Sequence, residues 1–440
     1  MFSLKFTSIF VLLSTIQGAE GYTINDTATL QRDLFASYMK ELRPQSKTDI
    51  GLEFGLTHIT ELDIITQRLY SVGFLHVLWM DFRLQWIPSS YGNMTYMRPL
   101  LTKLWTPPLV LSNAADEIKI LNDNSNFASS PGFVKYDGLI YWMAPANFIA
   151  QCTIHIKYYP FDSQSCKIVV SSWMFHKREL HLMAATSSKV NLDLYEEHGE
   201  WDITETSVRN VTRSVSGYTL TAVEFTLQLT RKYSYYLLNM ILPVFILAAM
   251  APFVFVLPVE SGEKIGFALT ILLSLSVVMT IVSDNIPPTS TEICVLSVYL
   301  LTTFIICSLE TLVTVATCRI HELHNKMYVM GDGWQKVARI LAKITRYRRR
   351  PKIGDETTTK EDNGTKEIHV NMAEKIDLSK QIERDNNAWT ENEKEDNYTE
   401  VRTEFTYADI VIMYEKFNFI AFTLLTSSVT TIFLVILQTN

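Results

Sequence analysis

At 440 residues, with 48% apolar residues and a formal net charge of -7, the chain has room for an outer domain, a membrane bundle and a further segment. Its basic residues are not arranged as a nucleic-acid surface, which excludes DNA- and RNA-binding roles. It holds five cysteines and shows no metal-ligand cluster and no nucleophile motif, so it is not an ordinary soluble enzyme and implies no cofactor.

Residues 1–21 begin Met-Phe-Ser-Leu-Lys, continue through the apolar run Ile9 to Leu13 and end among the small residues Gly18 and Ala19. That pattern reads as a secretory signal peptide, which sends the segment after it to the oxidising exterior. Sequons at Asn25, Asn93 and Asn210, each followed two places later by threonine, agree with glycosylation there, whereas those at Asn363 and Asn397 carry no such meaning. Over 23–47, Leu30, Leu34, Tyr38 and Leu42 share one face of a predicted amphipathic helix. The stretches 51–62, 65–83, 132–142, 152–159 and 218–229 then alternate apolar and polar residues between Gly, Pro and Asn turns, the spacing of a β-sandwich over 22–233.

Four apolar spans come next, at 235–257, 264–283, 293–317 and 417–437, the first interrupted by Pro243 and Pro252. Three transmembrane helices thus occupy 234–318, a loop 319–408, and a fourth helix with a short tail 409–440. Arg319, Lys326, Lys336, Arg339, Lys343 and the run Arg346 to Arg350 make that loop cytoplasmic, so both mature termini face outside a plasma membrane crossed several times. Within it, 333–344 is basic and amphipathic and suited to a membrane surface, while 351–400 is rich in Thr, Asn, Glu and Lys and reads as partly disordered. Cys294, Cys307 and Cys318 lie in or beside an apolar span and read as ordinary buried thiols.

The second span organises the rest. Glu263, Gly266, Thr270, Leu273, Val277, Thr280 and Asp284 recur at alternating steps of three and four, so they form one stripe on one helix face. With Glu260 just before it, the stripe has acidic ends and a small, hydroxylated and apolar middle. Carboxylates at both mouths concentrate cations and repel anions, so this face is what a cation pathway between packed helices needs. A single-span anchor with chance flanking acids is the competing reading, as is a binding receptor that conducts nothing.

Cys152 and Cys166 enclose thirteen residues that include Pro160, Phe161 and Asp162. This stretch resembles the signature loop of the Cys-loop pentameric ligand-gated ion channels, and the rest of the chain resembles that family from end to end. Trp79, Asp81, Leu84 and Trp86 keep its spacing, as do Trp105, Asn113, Ala115 and Asp116, then Gly199-Glu200-Trp201, and Arg231. Tyr136-Asp137-Gly138 with Trp142, Leu257-Pro258, the run Ser261 to Lys264 and Ile286-Pro287 are similar to nicotinic acetylcholine receptor subunits. The Pro-Ala-Arg insertion of the anion-selective branch is missing. The resemblance implies an extracellular all-β sandwich with a short N-terminal helix, a four-helix transmembrane bundle and a partly helical cytoplasmic loop, assembled with four further subunits into a pentamer. It implies a Cys152 to Cys166 disulfide and coupling to the membrane through Phe161, Asp162, Arg231 and Pro287. Asp162 would pair with Arg231, with Glu61 or Asp63 as other partners.

In that family a small agonist lies between subunits in a box of aromatic rings. Trp173 matches the main cation-binding tryptophan, a buried core tryptophan being the bland reading. Ser112 stands where the family carries a tyrosine, and 209–218 lacks the adjacent cysteine pair of α-type subunits, leaving Tyr218 as its aromatic. Phe74 matches an aromatic position on the complementary side, with Phe133, Tyr141 and Met143 either lining the opposite wall or belonging to the core. Two readings result: a homopentamer for a non-acetylcholine, apolar agonist, as in chemosensory members such as the cephalopod chemotactile receptors, or a non-α subunit of a heteromeric acetylcholine receptor. The membrane would be that of a postsynaptic or sensory cell.

Overall fold

The computed structural model describes residues 21–118, 120–121, 130–185, 188–215, 217–288, 292–325, 331–347 and 405–438. The signal segment up to residue 20, the stretch 351–400 with its two sequons, Lys326 and the basic residues at 348–350 lie outside the described residues.

Helix α1 (Ile24–Phe35) starts at a reciprocal cap: the Asp26 amide donates to the Thr23 hydroxyl at 3.2 Å, and the Thr23 amide donates to the Asp26 carboxylate at 2.7 Å. The periodicity predicts a helix to 47, but α1 stops at Phe35. Tyr38 is drawn out of the helical path, its hydroxyl donating to Asp81 at 2.9 Å and accepting the Trp105 amide at 3.0 Å, with the Arg83 guanidinium 4.5 Å from its ring. Tertiary hydrogen bonds here override a local period.

Among the described residues the outer domain holds ten strands: β1 (Thr48–Asp63), β2 (Arg68–Met80), β3 (Tyr96–Met97), β4 (Leu109–Leu111), β5 (Phe133–Lys135), β6 (Leu139–Gln151), β7 (Ser163–Ser172), β8 (Leu180–Ala184), β9 (Trp201–Val215) and β10 (Tyr218–Arg231). They form a six-stranded sheet in the order β3-β5-β6-β2-β1-β8 and a four-stranded sheet in the order β4-β7-β10-β9. Because side chains alternate along a strand, Leu75, Val77 and Trp79 of β2 face inward and are buried, while Phe74 and His76 take the outer side. The two sheets meet where Phe54 packs edge-on against Phe148 at 5.0 Å and against Phe225 of the other sheet at 5.5 Å.

One expected strand is absent. Over 152–159, burial alternates as the sequence demands, with Ile154 and Ile156 inside, yet no neighbouring strand among the described residues pairs with it. The Gln164 side chain replaces that neighbour, accepting the His155 amide and donating to the His155 carbonyl, both at 2.9 Å. Cys152, which leaves the six-stranded sheet, is bonded to Cys166 of β7 in the four-stranded sheet, so the disulfide ties the two layers together.

Five more helices complete the described chain: α2 (Ser234–Phe255), α3 (Lys264–Asp284), α4 (Val295–Asn325), α5 (Asp332–Thr345) and α6 (Tyr407–Gln438). Of these, α2, α3, α4 and α6 are long and apolar enough to cross a membrane. A wider, π-helical turn over Leu237–Ile241 precedes Pro243, and a tighter turn over Ala251–Phe255 contains Pro252, so each proline sits where the regular ladder is already altered. Helix α6 starts well before 417, because Thr406 and Asp409 cap it and Tyr407, Ile410 and Met413 pack on Ala338 and Leu341 of α5.

The chain divides into two compact units. The first, residues 1–249, 271–306 and 426–440, holds the sandwich and the helix segments near it, where Phe245, Tyr299 and Phe433 cluster and the Tyr299 and Phe433 rings stack at 4.4 Å. The second, residues 250–270 and 307–425, holds the other helix segments with α5. There Val254, Phe255 and Ala268 are buried among Val313, Phe419 and Phe422. Cys294 and Cys307 are buried free thiols, and Cys318 is partly so.

Candidate functional site

The ligand-site residues divide between two surfaces. Trp173, immediately after β7, is 45% exposed, so it is not a core tryptophan. Its amide donates to the Pro108 carbonyl at 3.0 Å, which fixes the backbone beneath the ring. Tyr218 opens β10 and is 63% exposed, beside a turn in which Gly217 adopts φ 86°. The Ser112 hydroxyl donates to Ser171 at 2.7 Å and is spent on the protein itself.

The outer side of the six-stranded sheet carries the second surface. Phe74 is nearly buried because its ring lies over Gly55, where an added Cβ would stand 2.1 Å from the ring. Beside it, His76 lies 4.8 Å from the Phe74 ring and 5.0 Å from Tyr141, Phe133 stacks on Tyr96 at 5.2 Å, and Met143 is exposed. These side chains share the outward parity of β2, β5 and β6 and are not inside the sandwich. His76 and Tyr96 are not among the residues that the sequence singles out, although His76 stands two places after Phe74 and period-two alternation alone points to it. His76 also faces Glu53 at 3.7 Å. The nearby His76, and after it a hydrogen bond donated by Asn191 at 3.4 Å, hold the Glu53 carboxyl below the usual range against the opposing effect of burial. Burial, and secondarily the charge of Glu53, pushes the Tyr141 phenol up.

Below the sandwich, Asp162 and Arg231 form a two-pronged ion pair, Nε to Oδ1 at 2.7 Å and Nη2 to Oδ2 at 3.0 Å, with both side chains buried. Gln164 donates to the same carboxylate at 2.6 Å, and the guanidinium lies 4.2 Å from the Trp201 ring. Burial alone would lower the Arg231 guanidinium; the Asp162 hydrogen bonds and charge more than offset it and raise it. Asp63 turns instead to Thr66. Phe161 packs against Tyr233 at 4.9 Å, directly before α2. Two further contacts tie the disulfide-closed loop to the entry into α4: His155 Nδ1 to Glu292 at 2.8 Å, and the amide of Val295, the first residue of α4, donating to the Lys157 carbonyl at 2.9 Å. Pro287 is buried, and with Ile65, Met279 and Asp284 it lines a cleft of about 460 Å³.

On α3, Gly266, Thr270, Leu273, Val277, Thr280 and Asp284 are all exposed, and the opposite face, Lys264, Ala268, Ile271, Leu275 and Val282, is buried. Glu260 and Glu263 are exposed at the start, around the left-handed Gly262. Asn25, Asn93 and Asn210 are exposed, the Asn210 side-chain oxygen accepting the Ala184 amide at 2.7 Å.

An outer sandwich closed by a disulfide loop, followed by four membrane-length helices with an exposed acid-ended face on the second, defines a receptor-channel architecture. Residues 27–233 match the neurotransmitter-gated ion-channel ligand binding domain, and residues 240–431 match the neurotransmitter-gated ion-channel transmembrane region. The chain belongs to the neurotransmitter-gated ion channels, a family of channels and not of enzymes. Among its relatives, acetylcholine receptor subunit beta-like 1 of Drosophila melanogaster is 35% identical over 70% of this chain and 58% of its own length. Neuronal acetylcholine receptor subunit alpha-3 of Carassius auratus is 28% identical over 71% and 61%, and subunit alpha-6 of Mus musculus 30% identical over 66% and 58%. The chain thus spans about three fifths of the length of these curated relatives.

Proposed function

We propose that this chain is a subunit of a pentameric, cation-selective channel of nicotinic type, opened by a small extracellular ligand held between subunits. The observation that carries this is the α3 face: small, hydroxyl and apolar side chains stand exposed in one row between Glu260 and Glu263 at one end and Asp284 at the other. In a pentamer that row lines the pore, with Leu273 and Val277 as the closed constriction. Ligand binding drives opening through its higher affinity for the open state. The shift travels through Phe161, the Asp162 to Arg231 pair and the His155 to Glu292 contact to the segment holding Pro287.

The ligand meets the complementary wall of Phe74, His76, Tyr141, Phe133 and Met143, which is aromatic and apolar. The main reading is a homopentamer taking an apolar, chemosensory agonist. A second reading, a non-α subunit of a heteromeric acetylcholine receptor, is supported by the depleted principal side, Ser112 and the missing cysteine pair, and by the likeness to a beta-like subunit. Voltage-clamp recording from cells expressing the chain alone, challenged with acetylcholine, acid and a panel of apolar compounds, tests both. A cation current to an apolar compound supports the homopentamer. Silence alone, followed by an acetylcholine current with an α subunit, supports the second. An anion current, or none in any combination despite surface expression, rejects the channel assignment.

A further inference from the structure

Lys264 poses a problem for a cation pathway, because it directly follows Glu263. In a pentamer, five ammonium groups beside five carboxylates at one mouth would cancel the field that attracts cations. Helix geometry turns it away: at 100° per residue, Lys264 lies about 150° around α3 from the middle of the row through Gly266, Thr270, Leu273 and Val277. Burial agrees, since the Lys264 side chain is 1% exposed and shares its face with Ala268 and Ile271.

A buried ammonium is costly by several kcal/mol unless it is paired. Lys264 has two acceptors, both within the second unit. Its Nζ donates to the Leu257 carbonyl, just past α2, at 2.9 Å, and to the Glu415 carboxylate of α6. Glu415 is itself only 15% exposed, and the next residue, Lys416, points elsewhere, donating to the Thr345 carbonyl at 3.1 Å. His321 of α4 also lies within electrostatic reach of Glu415. An anchor between helices does not require charge: α6 is already held to this unit by Phe419, Phe422, Ile410 and Met413, and buried ion pairs are often replaceable by apolar residues at no loss of stability.

We infer that Glu415 is a specificity-determining residue for cation passage: it holds the Lys264 charge inside the helix bundle and leaves the Glu263 carboxylates uncompensated at the pore mouth. This rests on the cation-channel reading above. Without Glu415 the long, flexible lysine stem carries its ammonium toward water at the mouth, where it opposes cation entry.

Single-channel recording of wild type, Glu415→Gln, Lys264→Gln and the double variant tests this. Glu415→Gln is expected to lower cation conductance about twofold, and to move the reversal potential in a salt gradient toward that of an unselective pore. The double variant is expected to restore both, since no lysine charge remains to be released. Conductance and reversal potential unchanged in Glu415→Gln, or a double variant as impaired as Glu415→Gln, overturns the inference and leaves the channel reading standing. A wild-type chain that never conducts cations removes the channel reading instead. Where Glu415→Gln yields too few channels to record, membranes are treated from the cytoplasmic side with an impermeant amine reagent and Lys264 modification is read by mass spectrometry. Modification in the variant but not in wild type supports release of the charge, and equal modification overturns it.

Discussion

Replacing Asp162 by Asn keeps the shape of the side chain and removes its charge. Arg231 then remains almost fully buried without its carboxylate, having lost the charge behind contacts of 2.7 and 3.0 Å. Breaking a buried ion pair from one side costs about 3–5 kcal/mol. The lower end applies here, because the Trp201 ring, 4.2 Å from the guanidinium, still favours the cation. About 3 kcal/mol is roughly a 150-fold change in the folding equilibrium. Biotinylation of surface protein and thermal aggregation of the detergent-extracted chain measure it: D162N is expected to lose most of its surface pool and to aggregate at lower temperature. Converting the partner as well, in D162N/R231M, removes the stranded charge and is expected to recover most of the loss. A D162N chain as abundant and as stable as wild type, or a double variant no better than the worse single, refutes the reasoning.

The remaining predictions concern the pore face and the outer sheet. Neutralising Glu263 to Gln is expected to lower cation conductance or selectivity, and an unchanged conductance with an unchanged reversal potential removes that residue from the mouth. Leu273→Ser wets the apolar constriction and is expected to shift the ligand response to lower concentration or to leak at rest; a variant with neither effect places the gate elsewhere. Glu53, whose pKa lies below its ordinary 4.5 through His76, contributes stability that is present above that value and lost as pH falls through the lowered one. E53Q should therefore melt lower than wild type at neutral pH, with the gap closing as pH falls through the lowered value; a gap that stays constant contradicts the pairing.

The sandwich is legible in the sequence because a half-buried strand repeats every two residues, and in β6 the inner and outer positions alternate almost throughout. The α3 row is legible for the same kind of reason, since a single helix converts spacing directly into a face. Where a side chain finds its partner far along the chain, spacing carries no signal. The stretch 152–159 has the correct alternation but receives its hydrogen bonds from Gln164 rather than from a strand, and Tyr38 leaves its helical face for Asp81, 43 residues away. Lys264 and Glu415 are 151 residues apart, each a charge at the start of an apolar span, and no spacing in the sequence connects them.

Among the candidate ligand residues the same distinction has a functional consequence. Parity along β2, β5 and β6 puts Phe74, His76, Tyr141 and Met143 on one outer surface, and Trp173 and Tyr218 stand exposed at the ends of β7 and β10 of the other sheet. An exposed tryptophan and an exposed methionine are costly to leave in water, and each gains on being covered. The proposed pentamer would supply that cover by setting the Trp173 surface of one subunit against the Met143 surface of the next, with the ligand between them. On this reading two aromatic half-sites, neither sufficient alone, become a binding site only through assembly. Trp173→Ala and Met143→Ser should then weaken the response to the same ligand while leaving the thermal stability of the isolated subunit unchanged.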